Sequence, residues 1–443
     1  MTGISDRINP ERVNDKRTIF GWTMYDWANS AVATTMLGAV LPAYFESVIV
    51  GEDGINFLGR IWSAEGLYGL LAGTGPLILF LLVPILGAIA DYSGSKLVFL
   101  RAAAVIGTLT CAGFLFVGEG DIALSILLVL AIQICFTGGN VFYDAFLPEI
   151  TTDDTVDSVS ARGYATGYLG GGIHLALGLA FIQLSSDTAF ATRIVLASVA
   201  LWWGGFALFS LPKLAGVEIP RPGLRLGQYV KTGVGRTVRT VLRLRHFPQL
   251  ALFMGAFMLY NDAIATTIAM SSVYATGTLQ LETTTVIIAF LVVQFLAVFG
   301  SIAAARLSRF IGIRAALITI LVGWVAVVGT AYFLPTGQML PFIATAAGIG
   351  LVLGGAQSLS RSLYASMIPL DASAEFFGFY TVFSKFAAIW GPLIFSAVRE
   401  GTGSGRPAIL TVVGFLIVGT LLLAMVNVDE ARESREGWAL SQP

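Results

Sequence analysis

An all-α polytopic membrane protein, with twelve transmembrane helices in two pseudo-symmetric six-helix bundles, is the fold class this sequence predicts. Three observations carry that reading. Hydrophobic residues make up 56% of the chain and charged ones only 12%, with a mean hydropathy of +0.80, a balance foreign to a soluble globular chain. Apolar stretches of about 20 residues, the length that crosses hydrocarbon, recur from end to end. The two halves also echo each other at a nearly constant offset. Tyr143-Asp-Ala-Phe-Leu-Pro148 closes the fourth stretch and Tyr364-Ala-Ser-Met-Ile-Pro369 the tenth, 221 residues later. Asp91-x-x-Gly94-x-Lys96 follows the second and Arg309-x-x-Gly312-x-Arg314 the eighth, 218 later, while Tyr25-Asp26 and Asn261-Asp262 sit early in the first and seventh. Such offsets mark two six-helix repeats, with a solute site near the midplane between them.

In chain order, residues 1–18 form a mixed-charge tail without a small-residue cleavage site, read as the approach to an uncleaved first helix. The N-terminal bundle, 19–211, contains spans at 19–49, 66–90, 97–117, 121–147, 159–184 and 191–211. Residues 212–247 form a central loop with Lys213, Arg221, Arg225, Lys231, Arg236, Arg239, Arg243 and Arg245 against the single acid Glu218. The C-terminal bundle, 248–427, contains spans at 248–275, 283–305, 313–334, 339–367, 375–398 and 408–427, and 428–443 is a short tail. Positive charge marks the cytoplasmic side, so the central loop and both termini are predicted cytoplasmic. Residues 225–245 read either as a plain topology anchor or as a basic amphipathic helix lying on anionic membrane lipid.

The spans carry polar residues where lipid would not tolerate them. Trp22, Asp26, Asn29 and Ala33 follow the 4-3-4 spacing of one helix face, and a carboxylate at membrane depth costs roughly 2.5–3.5 kcal/mol at the centre. Span four repeats that spacing with Gln133, Thr137, Asn140 and Asp144. Span seven offers Tyr260, Asn261 and Asp262, and span ten Gln357, Arg361 and Tyr364. These residues, with Tyr25 and Lys385, are the candidate cavity lining; interhelical hydrogen bonding is the competing reading. Two of the deep acids, Asp26 and Asp144, belong to the first repeat and both deep cations, Arg361 and Lys385, to the second. Pairs across the seam would either exchange partners as the halves rock or remain static. Arg361 suits a fork-like grip on a carboxylate of Asp26, Asp144 or a solute, with Arg361 and Lys385 the expected partners of Asp26. Candidate proton sites are Asp26 and Asp144, and after them His174, which falls on the glycine face of span five and equally suits a hydrogen bond to a neighbouring helix. Tyr164, Tyr168, Phe379, Tyr380, Phe383 and Trp390 could wall a solute or merely pack helix seams.

At this point the residues carry a family resemblance. Gly87-Ala-Ile-Ala-Asp91-Tyr-Ser-Gly94-Ser-Lys96 with Arg101 resembles the loop 2–3 motif of the major facilitator superfamily, with Ser95 in place of one basic residue. Tyr25-Asp-Trp-Ala-Asn-Ser-Ala-Val-Ala-Thr-Thr35, Ala145-Phe-Leu-Pro-Glu149, Gly354-Gly-Ala-Gln-Ser-Leu-Ser-Arg-Ser362 and Glu375-Phe-Phe-Gly-Phe-Tyr380 look like the bacterial relatives of the fungal autophagy-linked vacuolar effluxers. The resemblance implies a carrier whose helices 1, 4, 7 and 10 line the cavity, and for the fungal members amino-acid efflux. It also implies conformational control by Gly87, Asp91, Gly94, Lys96 and Arg101. Physically, Asp91 can face the positive end of a neighbouring helix or pair with a nearby arginine.

Other classes fit poorly. The net charge of −1 excludes a broadly basic nucleic-acid binder. The chain lacks a G-x-x-x-x-G-K-[ST] phosphate loop and a Ser-His-Asp spacing, its histidines number two, and Cys111 and Cys135 both lie in apolar spans. An enzyme, a metal site and a cofactor are therefore not expected. The expectation is a secondary active transporter of a small polar or zwitterionic solute, with protons as a possible coupling ion and facilitated uniport still open, in a bacterial inner membrane. A receptor or scaffold acting through the basic loop, and an exporter of lipophilic compounds, are the alternatives.

Overall fold

The computed structural model describes residues 9–219 and 247–440, apart from residues 52, 53, 58, 63 and 388. The expected amphipathic segment at 225–245 lies outside the described residues. Helix α1 (Lys16–Val50) starts where Asp15 accepts hydrogen bonds from both the amide and the hydroxyl of Thr18, at 2.8 and 2.7 Å. The N-terminal half continues with α2 (Ala64–Ser93), α3 (Lys96–Gly113), α4 (Ile122–Ala145), α5 (Val156–Leu184) and α6 (Thr188–Ser210). The C-terminal half holds α7 (Pro248–Gly277), α8 (Thr283–Ile311), α9 (Ile313–Ala331), α10 (Met339–Met367), α11 (Leu370–Thr402, helical over Ser373–Ala387 and Trp390–Thr402) and α12 (Gly405–Ala424). Among the described residues eleven segments are long and apolar enough to cross a membrane, and α2, 30 residues long, stands between the first two of them. This fits the twelve expected spans.

Two features depart from the expected pattern. A hairpin, β1 (Ile55–Phe57) and β2 (Arg60–Trp62), pairs antiparallel between α1 and α2 with Asn56 opposite Ile61. The C-terminal tail, to which the sequence reading assigns no element, contains helix α13 (Val428–Leu440). Within α1 the backbone loosens to π-helix over Val32–Val40 and again over Phe45–Val50, which turns its later residues away from a plain 3.6-residue face.

The halves meet along α2 with α11 and α5 with α8. Both loops of the repeated Gly-x-[Lys/Arg] motif share a left-handed glycine, Gly94 at φ +64° and Gly312 at φ +83°, a conformation that favours glycine and ends the preceding helix. Asn14 bonds Thr152 and Thr155, and Arg435 of α13 pairs with Asp153, so the N-terminal segment, the α4–α5 turn and α13 share one face, here called the terminal face.

Candidate functional site

Between the halves lies a cavity of ≈ 490 Å³. Its charged floor comes from α1, α4, α5, α10 and α11, and its walls run along α7 through Ile268, Met270 and Tyr274 and along α8 through Val286 and Phe290, toward the face opposite the termini. Asp26, Asn29, Thr137, Asn140, Asp144, Gln357, Arg361 and Lys385 all contribute to the lining.

Sequence spacing explains the floor. Asn29 of α1 donates to Asn140 of α4 at 2.6 Å, and one turn nearer the terminal face Tyr143 donates its hydroxyl to Asp26 at 3.1 Å. Gly167 of α5 lets the backbones close up here: a Cβ on it would stand 2.9 Å from the Asp26 carboxylate. Arg361 of α10 reaches across the seam. Its Nη1 lies 3.0 Å from Asp144 and 3.7 Å from Asp26, Nη2 donates to the Ser160 carbonyl at 2.9 Å, and Nε to the Ser160 hydroxyl at 3.1 Å. The guanidinium is stacked between Tyr164, 4.1 Å from the ring centre, and Trp22, at 4.8 Å. With every edge occupied, the Arg361 side chain is 3% exposed, whereas Asp26 and Asp144 keep 13% and 14% open. The acids are therefore more open to a solute than the arginine is. Of the carboxylates expected for Arg361, the one it holds here is Asp144, with Asp26 close by.

Lys385 is the opposite case. It is exposed on the cavity wall, and among the described residues no carboxylate lies within ion-pair distance of it. It is not the partner of Asp26; Arg361 is. Tyr168 of α5 donates to Gln357 of α10, a further hydrogen bond between the halves.

Six expected lining residues lie elsewhere. Tyr25 is buried against Tyr143. Gln133 turns away to donate to the Leu71 carbonyl on α2 at 3.3 Å. Tyr260 shares a hydrogen bond with Ser360, and Asn261 donates to Ser384 at 3.1 Å. Asp262 accepts the Gly391 amide at 3.0 Å, and Tyr364 donates to the Phe376 carbonyl at 2.6 Å. All serve helix packing, because a pattern of spacings fixes a face but not which neighbour that face meets. His174 likewise has both ring nitrogens engaged, by Thr35 at 2.9 Å and Ser198 at 3.2 Å, and lies against Trp202 away from the cavity.

At the terminal face the halves are shut by a buried charge cluster. Asp91 accepts the amides of Ala374 and Glu375 at 3.1 and 2.8 Å, capping the N-terminus of the Ser373–Ala387 helix. Gly87 sits directly beneath, where a Cβ would come 2.5 Å from the Ala374 carbonyl. Lys96 is 3.2 Å from Asp91 and 3.5 Å from Glu218, pairs closely with Glu149, and donates to the Ser373 hydroxyl at 3.0 Å. Burial pushes the Glu218 carboxyl up while the Lys96 charge draws it down. Arg101 takes no part: it is exposed, and among the described residues it has no ion-pair partner. The partner of Asp91 is Lys96. Glu149, Glu218 and Ser160 were missed as site residues. Glu149 closes the family motif Ala145–Glu149 at the end of an apolar span, but its partners become visible only when the halves are brought together.

Residues 14–436 match the family described as "Vacuole effluxer Atg22 like". The chain belongs to that family. It is 32% identical over 419 residues to an uncharacterized MFS-type transporter, YxiO, of Bacillus subtilis (strain 168), an alignment that covers 93% of this chain and 95% of that one. It is also 23% identical to autophagy-related protein 22 of Pyricularia oryzae, across 96% of this chain and 78% of that one. Among solved structures it resembles the human organic anion transporter MFSD10 (TM-score 0.69, 17% identity, 94% and 100% covered). It also resembles a bacterial homologue of the iron transporter ferroportin in an outward-facing state (TM-score 0.63, 12% identity, 92% and 98% covered). The fold is that of major facilitator superfamily transporters, and this family member is an integral membrane transporter rather than an enzyme.

Proposed function

We propose that the protein moves a small zwitterion of the amino-acid type across the membrane by alternating access. The observation that carries this reading is the separation of charge in the cavity. Two partly open carboxylates, Asp26 and Asp144, share one sealed guanidinium, which leaves negative charge to spare, while Lys385 stands as an open cation on the wall. An ammonium at the acids and a carboxylate at Lys385 would satisfy both ends. The apolar wall of Met270, Phe290, Val293 and Leu353 suits a small apolar body between them. The same wall also suits a lipophilic cation held by the acids alone, so transport of such a cation is the second reading.

The shut terminal face and the cavity's reach toward the other face correspond to one of the two states a carrier needs. By the positive-inside rule, the basic central loop supports a cytoplasmic terminal face, both termini included. An arriving ammonium, or a proton, competes with Arg361 for Asp144 and Asp26 and loosens a bond that holds the halves together. Asp26 and Asp144 are accordingly the proton sites, if protons couple.

The test is counterflow in proteoliposomes with a pooled panel of amino acids, dipeptides and lipophilic amines, with and without a pH gradient. Exchange of zwitterions that weakens in Lys385→Gln is the expected result. Exchange of amines alone, indifferent to Lys385, would replace the zwitterion reading with the second one. No exchange by folded protein would favour a receptor acting through the basic loop.

A further inference from the structure

Helix α13 lies outside the twelve-span frame, yet it touches both halves. Its start is fixed to the C-terminal half. The Asn427 amide donates to the side chain of Gln249, in the first turn of α7, at 2.9 Å, and Gln249 donates back to Glu430 at 2.8 Å. Arg314, in the turn after Gly312, donates to the Val426 carbonyl at 2.5 Å, and Ala431 is buried. One helical turn further on, Arg435 reaches the other half. Its two terminal nitrogens each lie 3.3 Å from one oxygen of Asp153, and Nη1 also donates to the Ser366 carbonyl, at the end of α10, at 3.0 Å.

Asp153 belongs to the α4–α5 turn, which Asn14 ties down through Thr152 and Thr155 at 2.8 and 2.6 Å. The guanidinium thus grips a well-held point on the N-terminal half and the last turn of α10 on the C-terminal half at once. A second arginine of α13, Arg432, stands with Arg309 on the side of Asp157, in the first turn of α5 at the same seam.

We propose that α13 is a strap: anchored on the C-terminal half and clipped to the N-terminal half by Arg435 and Asp153, it holds the carrier in the state closed at the terminal face. The inference rests on the alternating-access reading, since a strap matters only if the seam opens. The clip is weak by construction. Arg435 is 18% and Asp153 49% exposed, so solvent and salt screen the pair, and its two-pronged geometry is what raises it above an incidental surface contact. A weak clip suits a part that must release in every cycle.

The test uses the full chain in proteoliposomes, with Cys111→Ala, Cys135→Ala and Ser358→Cys. Ser358 is fully buried, and its carbonyl accepts the Ser160 hydroxyl across the seam, so a maleimide reaches the new thiol only when the seam opens. Arg435→Ala and Asp153→Asn should each speed labelling about two- to five-fold, the range an exposed ion pair commands. The double variant should be no faster than either single one. Arg435→Lys should fall between, and high salt should raise the parent toward the variants while leaving the variants unchanged. Circular dichroism and melting temperature check that each variant is folded. Multiplicative effects in the double variant, or equal rates throughout, would overturn the strap. A thiol that never labels in any variant would overturn the strap and the alternating-access reading together, whereas labelling indifferent to Arg435 removes the strap alone.

Discussion

Arg361 and Lys385 stand on the same half of the molecule and carry the same charge, but the protein spends one and leaves the other free. Arg361 is enclosed by Asp144, Ser160 and two aromatic faces. Replacing it by alanine strands Asp144 and Asp26 beside each other without a cation, and removing one partner of a buried pair costs roughly 3–5 kcal/mol. A large drop in melting temperature is therefore expected of detergent-solubilised Arg361→Ala, with Arg361→Lys only partly restoring it, because an ammonium cannot serve Asp144 and both Ser160 acceptors in one plane. Lys385→Gln should leave melting unchanged, since among the described residues no carboxylate pairs with that charge. It should instead raise the half-saturating solute concentration about tenfold or more, the loss of a hydrogen bond to a charged group being worth roughly 1.5–3 kcal/mol. Sequence spacing sets Asp26 with Asn29 on one face of α1 and Asn140 with Asp144 on one face of α4, and the structure brings those two faces to the same cavity. It could not separate Asp26 from Asp262, which occupy matching places in the two repeats. One opens on the cavity and the other accepts the Gly391 amide near the start of the Trp390–Thr402 helix, a neighbour that α7 alone does not reveal.

Helix termini do much of the work at the next scale up. Asp91 of α2 supplies both oxygens to the first amides of the Ser373–Ala387 helix, and so acts as an N-cap that comes from the other half of the protein. Asp91→Ala removes the cap at a cost of about 0.5–2 kcal/mol, felt only in the closed state because the contact is lost on opening. Faster labelling of an Ala374→Cys thiol from the terminal face is the expected readout. The helix lengths and the loop glycines were legible because hydropathy and left-handed turns are local properties. The cap was legible only as a possibility, since neither α2 nor α11 alone reveals that they meet. Asp15 is a local cap and was not singled out, although an acid one residue before an apolar helix is a standard start signal. Its hydrogen bonds from Thr18 hold its carboxyl below the ordinary range. A carboxyl depressed in the folded state stabilises above its unfolded value and loses that contribution as pH falls through the folded one. Amide protection in the first turn of α1 should accordingly drop below about pH 4, relative to intrinsic exchange. In Asp15→Asn, which caps without a charge, it should stay level.

At the scale of the whole molecule the two halves close on the terminal face through two gates related by the internal repeat, and the gates use opposite chemistry. In one, Asp91 at the end of α2 faces the N-terminus of the Ser373–Ala387 helix, with Lys96 alongside. In the other, the matching position is Arg309 at the end of α8, and the acid, Asp157, sits on the N-terminus of α5 itself. Glycines of positive φ hold both loops alike, so the backbone kept the repeat while the charges traded sides. If the halves rock as bodies, both gates restrain one motion. Asp91→Ala and Asp157→Ala should then each speed labelling at both seam thiols, Ala374→Cys beside the first gate and Ser358→Cys beside the second. The double variant should lower the opening free energy by the sum of the single effects, within about 0.5 kcal/mol, because the sites share no partner. Local fraying makes a different demand: each variant would expose only the thiol at its own gate and leave the other at the parent rate. Rates that rise together at both thiols would make the seam a single two-state element, which a carrier needs if binding at Asp26 and Asp144 is to be felt at the far end of α2.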